Sequence, residues 1–235
     1  MKTTIGKQYL RGVRRAFPVI LGFIPVAITF AILAMEASLT KGETIAMSMA
    51  VFAGASQIMA VKMIADGTGM LSVVIATFVL NLRHIIMSTC VFKRMKTKHR
   101  GIKLLTSFWV TDESFALFTT EEEEHCTPSY MLGIITVTYL SWVGGTILGV
   151  FVSVLLPEIV KNSFAVALYA LFIALITPDV KKSLRLFFVV LITAGLNFAF
   201  AFLMDSSWAV IFSTLVGAWI GIFLTAPSKK EGEGA

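Results

Sequence analysis

Eight apolar segments, at about residues 16–35, 44–61, 69–92, 104–119, 130–156, 163–177, 186–204 and 208–225, take up most of this 235-residue chain. Each approaches the roughly 20 residues that a helix needs to cross hydrocarbon, and the stretches between them are too short for a soluble domain. Composition excludes a soluble globule. Hydrophobic residues make up 57% and charged residues 14% of the chain, with a mean hydropathy of +0.84, against about 45–50% and 25% in soluble domains. So few charges cannot solvate the exterior, and hydrocarbon must be the solvent. The chain reads as an all-α polytopic integral membrane helix bundle of six to eight hydrophobic segments, one transmembrane domain over 1–235 with short tails at 1–15 and 226–235. The first segment is too long for a signal-peptide core and has no A-x-A site after it, so it is expected to stay as a membrane helix.

The net charge of +6 gathers in short runs beside apolar segments, where positive charge orients helices and meets anionic lipid headgroups. That distribution argues for a lipid bilayer and against nucleic acid as partner. Lys2, Lys7, Arg11, Arg14 and Arg15 place the N-terminus in the cytoplasm, and Lys93, Arg94, Lys96, Lys98, Arg100 and Lys103 make a second cytoplasmic signal. Three full crossings lie between the two, which would put the second outside. Parity returns if segments 44–61 and 104–119 are broken and leave on the side they entered, giving six spans; both are short and hold polar residues. Irregular backbone at membrane depth requires shelter by protein or a water-filled cavity. In the alternative, all eight segments cross. Lys181, Lys182, Arg185 and the Lys229–Lys230 tail are cytoplasmic in both topologies, so the C-terminus is expected there too.

Ionisable and polar groups inside apolar runs are costly and mark transport paths by default. In the third segment Thr77, Asn81, His84 and Ser88 recur at i, i+4, i+7 and i+11, one polar stripe on a continuous helix. Bonding to a neighbouring helix is the simpler account of such a stripe. Arg83 points about 100° away from His84 and either snorkels or pairs with Asp112 or Glu113 of segment 104–119. His84 or a shielded acid could then carry a coupling proton. In segment 44–61, Ala46, Ala50, Ala53 and Gln57 make a small-sided stripe. It reads either as close packing or as a helix unwound at Gly54–Ala55–Ser56, which would offer backbone N–H and C=O groups to a substrate. Pro25, mid-helix in the first segment, would free a carbonyl in the same way.

Ser141, Gly145, Gly149 and Ser153 form one small-xxx-small series and Ser213, Gly217 and Gly221 another, contact faces for this chain or a partner subunit. Tyr139, Trp142, Trp208 and Trp219 read as packing or interfacial anchors, and Glu121 to Glu124 as a solvated loop run. Cys90 and Cys126 lack metal-site spacing, so neither a metal nor a cofactor is expected.

FAGASQ at 52–57, NLRH at 81–84, TDE at 111–113 and the series Trp142, Gly145, Thr146, Gly149 together resemble the AzlC, or YgaZ-type, family of branched-chain amino acid permeases, over about Phe17 to Thr225. The resemblance implies the large subunit of a bacterial two-component exporter in the cytoplasmic membrane, working with a small AzlD-type membrane subunit. It marks Phe52 to Gln57, Asn81 to His84 and Thr111 to Glu113 as family motifs, the positions already singled out as polar interruptions. The family more often has an acid where Asn81 stands, so this chain departs from a carboxylate role there.

The expected activity is therefore export of valine, leucine, isoleucine and related substrates such as methionine, driven by protons or the membrane potential, without enzymatic chemistry. Two other classes are a non-transporting scaffold subunit and an intramembrane hydrolase using Ser56 and His84 as nucleophile and base.

Overall fold

The computed structural model describes residues 5–95, 97, 99–153 and 180–225, together with 155, 157, 159, 166, 170, 173, 174, 176 and 177. Most of segment 163–177, the tail at 226–235 with Lys229 and Lys230, and the basic positions Lys2, Lys96 and Lys98 lie outside the described residues. The chain divides into two compact units, residues 1–171 and 172–235. Among the described residues every regular element is helical.

The first unit opens with α1 (Ile5–Ala16), where the sequence suggested only a tail, and continues through Pro18 into α2 (Val19–Glu36). Both run parallel to α9 (Pro128–Val152), in register, because glycines remove the side chains that would hold the helices apart. A Cβ on Gly12 would strike the backbone of Tyr130, and one on Gly133 the backbone of Tyr9. Further along, Gly145 faces Ile24 and Ala27, and Gly149 faces Ile28 and Ala31. The first small-residue series is thus a contact within this chain, held by van der Waals packing at close approach. Pro25 sits inside α2 without ending it, and the Thr29 hydroxyl donates to its carbonyl at 3.0 Å.

Segment 44–61 is two half-helices, α3 (Lys41–Val51) and α4 (Gly54–Ala65). The break lies at Phe52 and Ala53, one residue before the expected site, with Phe52 in the left-handed region at φ 42°. Gly54 is instead the first residue of α4, and its missing Cβ makes room for the Trp142 ring. Segment 69–92 is also interrupted, which its apolar pattern did not suggest. It forms α5 (Met70–Asn81) and α6 (Arg83–Arg94), joined at Leu82 by tight i→i+3 bonds, Leu82 N–H to the Val79 carbonyl and Ile85 N–H to that of Leu82. Segment 104–119 likewise becomes α7 (Arg100–Trp109) and α8 (Asp112–Thr119).

At about 1.5 Å per residue the halves α3, α4, α7 and α8 are roughly 12–18 Å long, too short to cross a core of about 30 Å. Their contacts fix their course. Arg94, at the end of α6, donates to the Glu121 carbonyl at 2.6 Å, and the Glu121 carboxylate pairs with Arg11 at 2.7 Å, so these three positions share one end of the unit. Lys41 lies over the Phe151 ring, 5.2 Å from its centroid, at the far end of α9. From there α3 descends antiparallel to α9, with Ser48 bonded to Thr146 at 2.7 Å and Tyr139 donating to the Met49 carbonyl at 3.0 Å. Because α5–α6 arrives at the Arg94 end, Met70 and the turn before it lie at the Lys41 end, and α4 must return there. By the same reasoning α7 leaves the Arg94 end and α8 comes back to it at Glu121. Segments 44–61 and 104–119 therefore each turn back to the end they left, from opposite ends, and among the described residues three helices of the unit are long and apolar enough to span: Val19–Glu36, Met70–Arg94 and Pro128–Val152.

In the second unit α10 (Leu184–Phe200) packs on α11 (Ser206–Thr225). Gly217 takes Thr193 against its backbone, Gly221 meets Val189, and Asn197 donates to Ser213 at 3.4 Å, so the second small-residue series is also an internal contact.

Candidate functional site

The three interruptions meet inside the first unit. Asn81, the last residue of α5, donates to the Ser56 hydroxyl in the first turn of α4 at 3.1 Å. Arg83, the first residue of α6, pairs through Nη1 with Asp112 Oδ2, the first residue of α8, at 2.9 Å. His84 lies beside the backbone of Val110 in the second break. Rings complete the wall: Tyr139 lies 5.1 Å from Phe52 and 5.9 Å from Trp109, centroid to centroid.

The two helix starts differ in a way that matters for binding. The start of α8 is fully capped, since Thr111 and Ser114 bond reciprocally. The start of α4 has no side-chain cap, because its N-cap is Ala53. Gln57 turns back so that its Oε1 accepts the Ala53 N–H at 3.1 Å, and Ser56 donates to the Ala53 carbonyl at 2.9 Å. These bonds stabilise the break itself and leave the first N–H groups of α4 without a side-chain cap, at the positive end of a helix dipole.

Around this point several buried polar atoms have no partner: Gln57 Nε2, Asn81 Oδ1, Arg83 Nε, His84 Nε2, Trp109 Nε1 and Trp142 Nε1. Buried polar atoms are bonded in the large majority of cases, so a cluster of exceptions asks for a bound group or water. Gln57 is fully buried and Trp142 nearly so. The set is rich in N–H donors, with the Asn81 carbonyl as an acceptor beside them.

Of the residues singled out from sequence, Gly54, Ser56, Gln57, Asn81, Arg83, His84 and Asp112 come together here, with Glu113 next in α8. Pro25 stays in α2, beside Ile24, which packs on Gly145. The polar stripe on the third segment passes the tight turn at Leu82, which keeps right-handed helical dihedrals, with Thr77, Asn81 and His84 half-buried and Ser88 buried; Thr77 bonds its own helix, donating to the Val73 carbonyl at 2.8 Å. Ser56 and His84 form no nucleophile–base pair: the serine hydrogen goes to Ala53, and its neighbour is Asn81.

Sequence reasoning missed Glu121. Expected in a solvated run, its side chain is only 10% exposed and accepts from Arg11 and from the Tyr130 hydroxyl, the latter at 2.8 Å. Burial raises its pKa, but the bonds from Tyr130 and Arg11 outweigh this and hold it below the ordinary carboxylate range. Trp109 and Trp142 were also taken only as packing or not noted; an aromatic N–H without a partner at depth cannot be read from residue type.

A bundle of spanning and re-entrant helices, their breaks gathered on a buried polar cluster, defines a polytopic helical membrane protein. Residues 18–156 match the AzlC protein family, and the chain belongs to it. It is 32% identical over 176 residues to an uncharacterized membrane protein of Archaeoglobus fulgidus, covering 74% of this chain and 77% of that one. It is 27% identical over 147 residues to the inner membrane protein YgaZ of Escherichia coli, covering 61% and 60% of the two chains, so the match spans less than two thirds of that relative. An uncharacterized membrane protein of Helicobacter pylori is 24% identical over 148 residues, covering 60% of this chain and 64% of that one. No solved structure matches.

Proposed function

We propose that this chain carries small aliphatic amino acids, valine, leucine and isoleucine with methionine as a looser fit, outward across the cytoplasmic membrane. In this reading it is the large subunit of a pair with a small AzlD-type membrane protein, driven by protons or the membrane potential and using no cofactor. The observation that carries the reading is the uncapped start of α4 beside buried, unpartnered N–H donors on Gln57 and Trp142. That arrangement suits a carboxylate, because anions are favoured at helix N-termini and donors inside low dielectric are strong. Arg83 is already engaged by Asp112, which leaves the carboxylate to α4. The substrate ammonium then falls to the Asn81 carbonyl and the carboxylates of α8. A branched side chain would lie against Phe52 and the neighbouring rings. Each methylene is worth about 1–3 kcal/mol in an apolar pocket, so discrimination among aliphatic side chains is modest. In this reading the end that carries the N-terminal arginines and Arg94 faces the cytoplasm, the side that positive charge beside apolar helices favours.

The test is efflux of leucine, isoleucine and valine from cells loaded with the corresponding dipeptides, with and without the small partner, and with Asn81→Leu at equal membrane abundance. Partner-dependent efflux that falls at least tenfold in Asn81→Leu supports the assignment. Efflux unchanged by the variant removes the α4–α5 junction from the path, and no efflux with the partner present overturns the substrate.

A further inference from the structure

At the Arg94 end of the first unit lies an open cavity of about 470 Å³ lined by Arg11, Arg14, Arg15, Thr120, Glu121 and Glu122. Its charges are not equivalent. Arg11 is neutralised by Glu121, which also holds the Tyr130 hydroxyl and so is fully occupied. The Glu122 side chain is largely exposed and lies 3.8 Å from His125. Arg14 and Arg15 are exposed and in no ion pair among the described residues, leaving two free guanidinium groups on the cavity wall.

Leu10, Arg14 and Phe17 follow at i, i+4 and i+7, so Arg14 is flanked along one face by two apolar side chains that are themselves exposed, Leu10 at 46% and Phe17 at 64%. Just beyond, Leu21 in α2 is 79% exposed. Guanidinium groups beside a cavity, next to uncovered apolar side chains at the end of a spanning helix, match an amphiphile whose phosphate and acyl chains are adjacent. A soluble phosphate would use only the first half of that surface.

We propose that this cavity binds the phosphate of an anionic phospholipid, with Arg14 and Arg15 on the phosphate and the acyl chains along Leu10, Phe17 and Leu21. The cavity wall includes the Arg11–Glu121 pair that ties α1 to the end of α8, so a bound lipid also braces the inner re-entrant hairpin.

Native mass spectrometry of the full chain in dodecyl maltoside tests this, with phosphatidylglycerol, phosphatidylcholine and, as soluble competitor, glycerol phosphate. One retained phosphatidylglycerol per chain is expected, with phosphatidylcholine lost. Each arginine near an anionic headgroup is worth about 1 kcal/mol, so Arg14→Gln/Arg15→Gln should weaken retention about 30-fold. Arg14→Lys/Arg15→Lys should restore most of it, and Glu122→Gln, which removes a lining negative charge at an exposed position, should strengthen it; these two variants keep the test decisive if the double glutamine variant misfolds. Equal retention by the glutamine variant, or no gain from Glu122→Gln, overturns the site. Displacement of the lipid by millimolar glycerol phosphate overturns the choice of lipid and assigns the cavity to soluble phosphate.

Discussion

Neutralising one member of the Arg83–Asp112 pair should do more damage than neutralising both. The groups meet at 2.9 Å with side chains 34% and 31% exposed, neither in bulk water nor sealed from it. At an effective dielectric near 20 the attraction is about 6 kcal/mol, and screening through the exposed third brings it toward about 2 kcal/mol. Loss of one partner leaves the other charge stranded at membrane depth, an added penalty. Arg83→Met and Asp112→Leu should each lower the midpoint of thermal unfolding in detergent by about 4–8 °C, taking about 2–4 °C per kcal/mol for a chain of this size. The double variant should recover at least half of that loss. Transport must behave differently: the double variant stays inactive, because the charges organise the junction of α6 and α8. Additive single losses, a double variant as unstable as the sum, would refute the pairing. An active double variant would refute its place on the path.

Other expectations follow from single positions. A Cβ on Gly54 would lie 2.6 Å from Trp142, a ring held between Phe23 and Phe30, so Gly54→Ala should cost about 1–3 kcal/mol by overpacking; an unfolding midpoint within error of the native chain would contradict this. Gly12→Val should detach α1 from α9, read as faster proteolysis after Arg14 or Arg15, and unchanged cleavage would count against the docking. In a chain lacking Cys90 and Cys126, single cysteines at Arg100 and Glu122 should label from one side, and those at Lys41 and Asp66 from the other; labelling of Arg100 and Glu122 from opposite sides would sink the α7–α8 hairpin. Glu121 has a folded-state pKa below its unfolded value, so its contribution is present above the unfolded value and lost as pH falls through the folded one. Thermal stability should decline below about pH 4.5 less steeply in Glu121→Gln than in the native chain, and parallel curves would show that the carboxylate adds nothing.

Much of this architecture was legible because membrane depth penalises polar residues at specific places. Asp112, Arg83 and Gln57 could not sit in lipid, so their segments had to break or find partners, and of the two topologies the basic runs allowed, the one in which two segments turn back is the one the contacts follow. What could not be read was local. The break falls at Phe52, not at Gly54, because tertiary packing of Phe52 on Tyr139 and of Trp142 over Gly54 decides which residue takes the left-handed turn. Leu82 carries no breaker signal, and the interruption there is visible only through the different partners of Asn81 and Arg83. Glu121 was misjudged because a run of four acids looks uniform in sequence, whereas one of them is picked out by Arg11, 110 positions earlier.

The uneven capping of the two re-entrant hairpins suggests how work is divided between them. The α8 start is closed by Thr111 and Ser114 and bears an ion pair, so it is a fixed element in which Arg83 balances Asp112 and Glu113 is left for a cation. The α4 start is open, its N-cap an alanine, and its polar side chains are spent on holding the break rather than on covering the N–H groups. A helix start left uncapped forgoes about 1 kcal/mol that a serine or aspartate would supply. An added cap offers a way to separate binding from folding. Ala53→Ser should leave the fold intact or slightly firmer, while its hydroxyl competes with a substrate carboxylate for the N–H groups of α4. The expected result is a raised half-saturation concentration for leucine at unchanged membrane abundance. A cap that stabilises the chain without touching transport would place the carboxylate elsewhere, with Arg83 as the next residue to examine.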